Sequence, residues 1–194
     1  MTRQQDRDSA ILECRKIVSG PFVCLDTETT SLDLPEACQI ALVNQDSEVA
    51  ETLVKPSKPI EAGATRVHGI TNEMVKDAPD FMGVYAELRG ETVSVPVVIY
   101  NAKFDLEVLR NSAKSCGILN YELNSTVHDA MLLFAKFRGV NDFRHGHYQW
   151  FKLGEACRMC NIAPVGQLHG AAVDAEMTRR LVVFMAEQKL STEE

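Results

Sequence analysis

The longest apolar run in the chain, VSVPVVIY at residues 93–100, is short and carries a proline at position 96. A helix crossing a bilayer needs roughly 18 or more apolar residues, and proline disrupts a helix interior. The run therefore reads as a buried strand. A strand that is apolar along its length must be covered on both faces, so helices have to flank the sheet that contains it.

The rest of the chain supplies those partners. A helix is predicted over 9–18, stopping at Gly20-Pro21, and a short apolar strand over 22–26 leads into the turn-rich stretch TETTSLDLPE. Strands at 39–44 and 49–54 flank a polar turn at 45–47. Helices follow at 71–76 and 80–89, then the strand at 93–100 and a helix over 102–116 that ends at Gly117. A strand at 125–127, a helix over 128–137 and a last helix over 171–188 complete the order. Three strands in a meander, then strands alternating with helices, predict an α/β fold with a mixed sheet covered by helices. The expected organisation is an N-terminal helix and lead-in at 1–21, one domain at 22–190 and a short tail at 191–194.

With 194 residues, of which 45% are hydrophobic, the chain can build one core without disulfide or metal support. The first ten residues are polar and have no signal-like apolar core. Cysteines such as Cys24 in FVCLD lie in apolar segments and read as reduced thiols, which together predicts a cytoplasmic protein with no membrane partner. A net charge of −7 argues against a general basic surface that coats nucleic acid. It leaves room for a local basic groove and for acids that hold metal ions.

Asp-x-Glu occurs four times, at 26/28, 46/48, 105/107 and 174/176, so context has to choose among them. On a strand, residues i and i+2 share a face and both carboxylates can reach one ion. On a helix they diverge, so 105/107 and 174/176 can each give one carboxylate to a shared site. The 46/48 pair falls in an exposed turn, where solvated charge is the simpler reading. Only Asp26 and Glu28 emerge from a buried strand. Like charges held there repel unless cations neutralise them, which makes the pair a metal-site candidate. His169, in LHGAAVDAEM, precedes the last helix, and Asp174 follows within it. Taken singly, Asp174 reads as a first-turn acid and His169 as a helix-entry residue.

Taken together, DTETT (26–30), NAKFD (101–105) and HGAAVD (169–174) stand in the order and spacing of the three motifs of the DEDDh exonucleases. ATRVHGIT (64–71) and LHGAAVDAEMTRRL (168–181) agree with the same pattern. The chain thus resembles the DnaQ-like 3′→5′ exonucleases, whose best-known member is the proofreading subunit of bacterial DNA polymerase III, over nearly its whole length. The resemblance implies a ribonuclease H-like fold, a mixed five-stranded sheet with helices on both faces. It implies that Asp26, Glu28 and Asp174 ligate two divalent ions, Mg²⁺ or Mn²⁺. Asp105 would complete the cluster, and His169 would be the general base. Hard ions favour carboxylate oxygens, and an imidazole with a pKa near 6.5 can accept a proton at neutral pH. Thr27, Thr29 and His68 are implied contacts of the terminal nucleotide; Asn101 is expected either to cap the helix bearing Asp105 or to touch phosphate. Two positions depart from many relatives: Tyr100 stands where a histidine is common, and Ser31 where glycine is. Both bear on substrate fit rather than on a metal ligand.

Two further segments stand apart from these motifs. Residues 136–158 are locally basic and interleave Phe143, Tyr148, Trp150 and Phe151 with the charges. That mixture is suited to guiding a single strand, although each aromatic alone reads more simply as core. Cys157-x-x-Cys160 near His145-x-His147 resembles half a zinc site, but it lacks a second cysteine pair and lies on an amphipathic helix, so buried thiols are the simpler reading. The expected activity is a metal-dependent 3′→5′ exonuclease releasing nucleoside 5′-monophosphates from single-stranded DNA or a frayed end. A polymerase or other repair protein would be a separate partner chain. An exoribonuclease of the same family and a non-catalytic nucleic-acid-binding module are the alternatives. The first turns on how the pocket treats a 2′-hydroxyl; the second would be marked by loss of a ligand position, and all five are filled.

Overall fold

A seven-residue strand, β1 (Val23–Thr29), organises the molecule. In the computed structural model, which describes residues 2–123, 125–165 and 170–193, β1 runs through the segment expected to be a turn and carries both Asp26 and Glu28. β2 (Ala37–Asn44) pairs antiparallel with β1, and β3 (Val49–Leu53) pairs antiparallel with β2. On the other side of β1 lie β4 (Val97–Ile99) and β5 (Val127–Asp129), both parallel to it. The five-stranded order is β3-β2-β1-β4-β5, a mixed sheet of ribonuclease H-like α/β type. β4 keeps only the last part of the predicted strand: Ser94 has φ 67, and the Pro96 carbonyl accepts from Val23 N–H at the sheet's entry.

Alternation along β1 divides the core. Val23 and Leu25 face one side, packed with Ile40, Leu42, Val97 and Ile99 against α4 (Phe81–Thr92) and α5 (Ala102–Ser115). Cys24 faces the other, packed with Val43 and Val98 against α1 (Arg3–Val18), α6 (Ala130–Arg138), α7 (Leu153–Met159) and α8 (Ala171–Ala186). Two short helices, α2 (Ala62–His68) and α3 (Asn72–Val75), close the gap between β3 and α4. A two-stranded hairpin, β6 (Asn141–Asp142) with β7 (His147–Tyr148), stands off the main sheet.

Local chemistry explains where these elements begin and end. α1 starts six residues before the predicted position because Thr2 and Gln5 form a reciprocal capping box. α5 ends at Ser115 with Cys116 as its C-cap, and Gly117 (φ 85) lets Gly117 N–H reach Lys114 O and Ile118 N–H reach Ala113 O. That paired closure requires a residue that tolerates positive φ. Asp129 caps α6 by accepting from Leu132 N–H. Among the described residues no helix is long and apolar enough to cross a membrane. Five of the six cysteines are buried and all are free; Cys157 and Cys160 face the core between α7 and α8.

Candidate active site

Asp26 and Glu28 sit two apart on β1 and share the face of Cys24, the face covered by α8. Asp174 lies in the first turn of α8. Ligand oxygens of Asp26, Glu28 and Asp174 all lie within 4.8 Å of one another. The remaining Asp-x-Glu pairs go elsewhere. Asp46 and Glu48 are exposed in the β2–β3 turn. Glu176 turns away from Asp174 to pair with Arg179 and Arg180, each at 2.7 Å. One strand pair and one helix acid thus form the cluster.

Asp105 approaches β1 from the opposite face. It is 4% exposed on the first turn of α5, and its Oδ1 accepts from Thr27 N–H at 3.0 Å and from Thr27 Oγ1–H at 2.7 Å. Thr27 alternates with Asp26 and Glu28, so one strand presents two carboxylates forward and grips a third carboxylate behind. Thr27 is itself 7% exposed, and its hydroxyl holds Asp105 in place.

The electrostatics of this arrangement are costly. Burial drives Asp26 well above the usual carboxylate range, and Asp105, Asp174 and Glu28 add to the shift. Glu28 is pushed up to about 7 by burial and then by Asp174 and Asp105. Burial also lifts Asp105 to about 7, against the lowering effect of the Thr27 hydrogen bonds. Among the described residues, no lysine or arginine forms an ion pair with Asp26 or Glu28. Carboxylates gathered without cationic side chains lower their energy either by taking up protons or by sharing a cation.

The surrounding residues are mostly spent on backbone. Thr29 Oγ1 donates to Ser31 O at 3.1 Å. His68 Nδ1 accepts from Ile70 N–H at 3.0 Å, which leaves Nε2–H to donate to Thr29 O at 3.1 Å. Burial lowers the His68 pKa, so the neutral ring braces the end of α2 against the end of β1. Asn101 occupies the N-cap of α5 in a left-handed conformation (φ 65, ψ 55), which asparagine tolerates, and its side chain makes no cap hydrogen bond. The capping role falls to a residue not singled out in the sequence. Asp129 Oδ2 accepts from Ala102 N–H at 3.0 Å while its Oδ1 caps α6, so one side chain fixes the starts of two helices. An aspartate ahead of an apolar helical run announces the local cap, but its reach to α5 depends on β4 and β5 being neighbours. His169 lies outside the described residues.

Comparison with known proteins adds to this geometry. Residues 23–182 match the sequence model of the RNase T exonuclease family. An uncharacterised exonuclease of Escherichia phage 186 is 36% identical over 178 residues, covering 89% of this chain and 91% of that protein. The DNA polymerase III epsilon subunit of Rickettsia typhi is 26% identical over 182 residues, covering 88% and 76%. Among solved structures, exonuclease X in complex with 5′ overhanging duplex DNA superposes with a TM-score of 0.62 at 22% identity, covering 89% of this chain and 96% of that one. E. coli exonuclease I in complex with a dA16 oligonucleotide gives 0.65 at 19% identity, and there this chain spans 41% of the longer protein. These two likenesses concern the fold.

Proposed function

This chain belongs to the exonuclease family matched over residues 23–182, and from that premise we propose that it is a DEDDh-type 3′→5′ exonuclease acting on DNA. The observation that carries the reading is the convergence of Asp26, Glu28 and Asp174 within 4.8 Å at the end of β1, with Asp105 gripped behind them. Every donor is a carboxylate oxygen, a set that fits hard Mg²⁺ or Mn²⁺. Asp26, Glu28 and Asp174 would hold two such ions, with Asp105 completing the acidic set. When bound, the ions supply Lewis-acid stabilisation of the charge that builds on the phosphate and the leaving 3′-oxygen.

The chain's own groups do the rest. Thr27 fixes Asp105 through its backbone N–H and its hydroxyl, so the two faces of β1 move as one body. Asp129 sets the start of α5 and with it the direction of Asp105. His169, matched to the family's general-base position, takes a proton from the attacking water. The water oxygen bonds to phosphorus, the bond to the 3′-oxygen breaks, and a nucleoside 5′-monophosphate leaves. The relatives named as polymerase III epsilon subunits support a polymerase or repair protein as a separate partner chain.

Incubating 5′-labelled DNA and RNA oligomers of one sequence with Mn²⁺, with and without EDTA, tests this reading. The expected result is a ladder of labelled DNA shortened stepwise from the 3′ end and stopped by EDTA. Immediate release of a labelled mononucleotide would reverse the direction. Preferential shortening of RNA would make the protein an exoribonuclease. Binding without shortening under any divalent ion would make it a non-catalytic module.

A further inference from the structure

The β6–β7 hairpin carries a second gathering of chemically able side chains, apart from the acidic cluster. The rings of His145 and His147 stack at 5.6 Å with planes 16° apart, and His147 stacks on Trp150 at 4.6 Å and 8°. The ladder is held from its edges. His145 Nδ1 meets Asp142 Oδ2 at 2.9 Å, and His147 Nδ1–H donates to Tyr148 O at 2.7 Å. Asp142 also accepts from Arg144 N–H at 2.9 Å, and Tyr148 Oη–H donates to Asp6 at 2.7 Å, which ties the hairpin to α1. The ladder as a whole stays at the surface: His145, His147 and Trp150 are all exposed, Trp150 at 53%, beside a surface hollow of about 690 Å³.

The hairpin also lies on the side of the sheet where the acids are. α6 leaves the end of β5 beside Glu13, which meets His128, and reaches Arg3, which packs across Gly139 and donates to Arg138 O. The segment leaving the hairpin returns toward the acids: Tyr100, the residue after β4, donates its hydroxyl to Phe151 O at 2.7 Å, and Phe151 follows Trp150 in the chain. The end of β4 pairs with Leu25, one residue before Asp26. Arg3, Arg7 and Arg138 line a neighbouring groove of about 570 Å³. Exposed parallel rings beside guanidinium groups match the needs of unpaired bases on a charged backbone.

We propose that His145, His147 and Trp150 form a stacking platform for an unpaired base of the single strand upstream of the cleaved nucleotide, with the Arg3–Arg7–Arg138 groove taking its phosphates. The proposal rests on the exonuclease reading for its substrate class. A stacked base contributes to affinity in a sequence-tolerant way, so the platform holds any strand that is long enough to reach it.

Trp150 is the chain's one tryptophan and reports directly on the site. Wild-type protein in EDTA is titrated with unlabelled thymidine oligomers of increasing length while tryptophan fluorescence is read. Saturable quenching by long oligomers, absent with a dinucleotide, is the expected result. In parallel, Trp150→Ala and His147→Ala are expected to weaken binding of a 5′-fluorescein-labelled oligomer by about 5- to 150-fold, the worth of one stacked base, with circular dichroism recording the fold. Trp150→Phe should restore most of the affinity. Protein that shortens oligomers while its fluorescence ignores them overturns the platform and leaves the exonuclease reading intact. Protein that neither binds nor shortens them overturns both. Quenching by Zn²⁺ alone, with no response to oligomers, reassigns the histidines to a metal.

Discussion

Among the described residues stand two triads of ligand-type side chains, Asp26–Glu28–Asp174 and Asp142–His145–His147, and each lies within reach of a single cation. They differ in what holds them and in what they lack. The first is set by a central strand and a long helix, is partly buried, and contains only carboxylates. The second rides on a two-residue-per-strand hairpin, and its histidines are exposed. Its acid already has a partner, since His145 and the Arg144 amide hold Asp142 below the usual carboxylate range. In the first triad Asp26 and Glu28 are driven upward by burial and by the neighbouring carboxylates. The lesson is that spacing alone does not make a cation site. A rigid frame that forces like charges together creates the demand for a cation, whereas a hairpin that balances its own charges leaves its rings free for other work.

The comparison breaks most visibly at Asp26. Asp26→Ala and Asp174→Ala are each expected to lower turnover by roughly 10³-fold or more, because several kcal/mol of charge stabilisation leaves with the ions. Both variants should stay folded, and in EDTA Asp26→Ala should melt no lower than the wild type, since repulsion is relieved. Calorimetric scanning of the metal-free proteins checks the second part. Unfolding at room temperature would give the residue a structural role instead.

His169→Ala should lower kcat by about 10²–10⁴-fold with Mn²⁺ affinity little changed, which single-turnover assays and metal titration separate. Unchanged kcat would remove His169 from the mechanism. Thr27→Val keeps the branched shape and deletes the hydroxyl bonded to Asp105. A cost of about 1.5–3 kcal/mol is expected in urea unfolding, the worth of a hydrogen bond to a charged group. A cost near zero would mean that the backbone N–H alone secures Asp105.

The smallest effect is a pH trend. Glu28 titrates near 4.5 when unfolded and at about 7 when folded, so the folded state binds the proton more tightly. Stability from this group is present below pH 4.5 and is lost as pH rises toward 7. Metal-free protein should therefore melt lower at pH 7 than at pH 5, and saturating Mn²⁺ should reverse the trend. Glu28→Gln should lessen it, with the contributions of Asp26 and Asp105 remaining.

Much of this was legible in the chain, and what was not has physical causes. The order of elements along the chain and the α/β class follow from short apolar runs separated by amphipathic ones. The choice of Asp26/Glu28 over the other three pairs follows from side-chain periodicity. β1 runs further than its apolar residues because its last turn of pairing, Glu28 with Gln39 and Thr29 with Ala37, is supplied by β2 rather than by local preference. α2 escaped notice because seven residues with none buried carry no amphipathic signal. The hairpin's strands are too short to alternate. The motifs that mark Thr27 and His68 as nucleotide contacts do not reveal that the Thr27 hydroxyl also holds Asp105, or that the His68 ring bonds Thr29 O and Ile70 N–H. Asp105 is distant in sequence from Thr27, and Thr29 from His68, as Ala102 is from Asp129. Non-local hydrogen bonds leave no periodic trace.

Titration calorimetry with Mn²⁺ on three proteins, the wild type, Asp26→Ala and His147→Ala, tests the central claim most directly. The account predicts binding to the wild type, loss of that binding in Asp26→Ala, and binding unchanged in His147→Ala, because the demand for a hard cation lies at the end of β1. Unaltered Mn²⁺ binding by Asp26→Ala, with loss in His147→Ala, would contradict it and move the cation site to the hairpin.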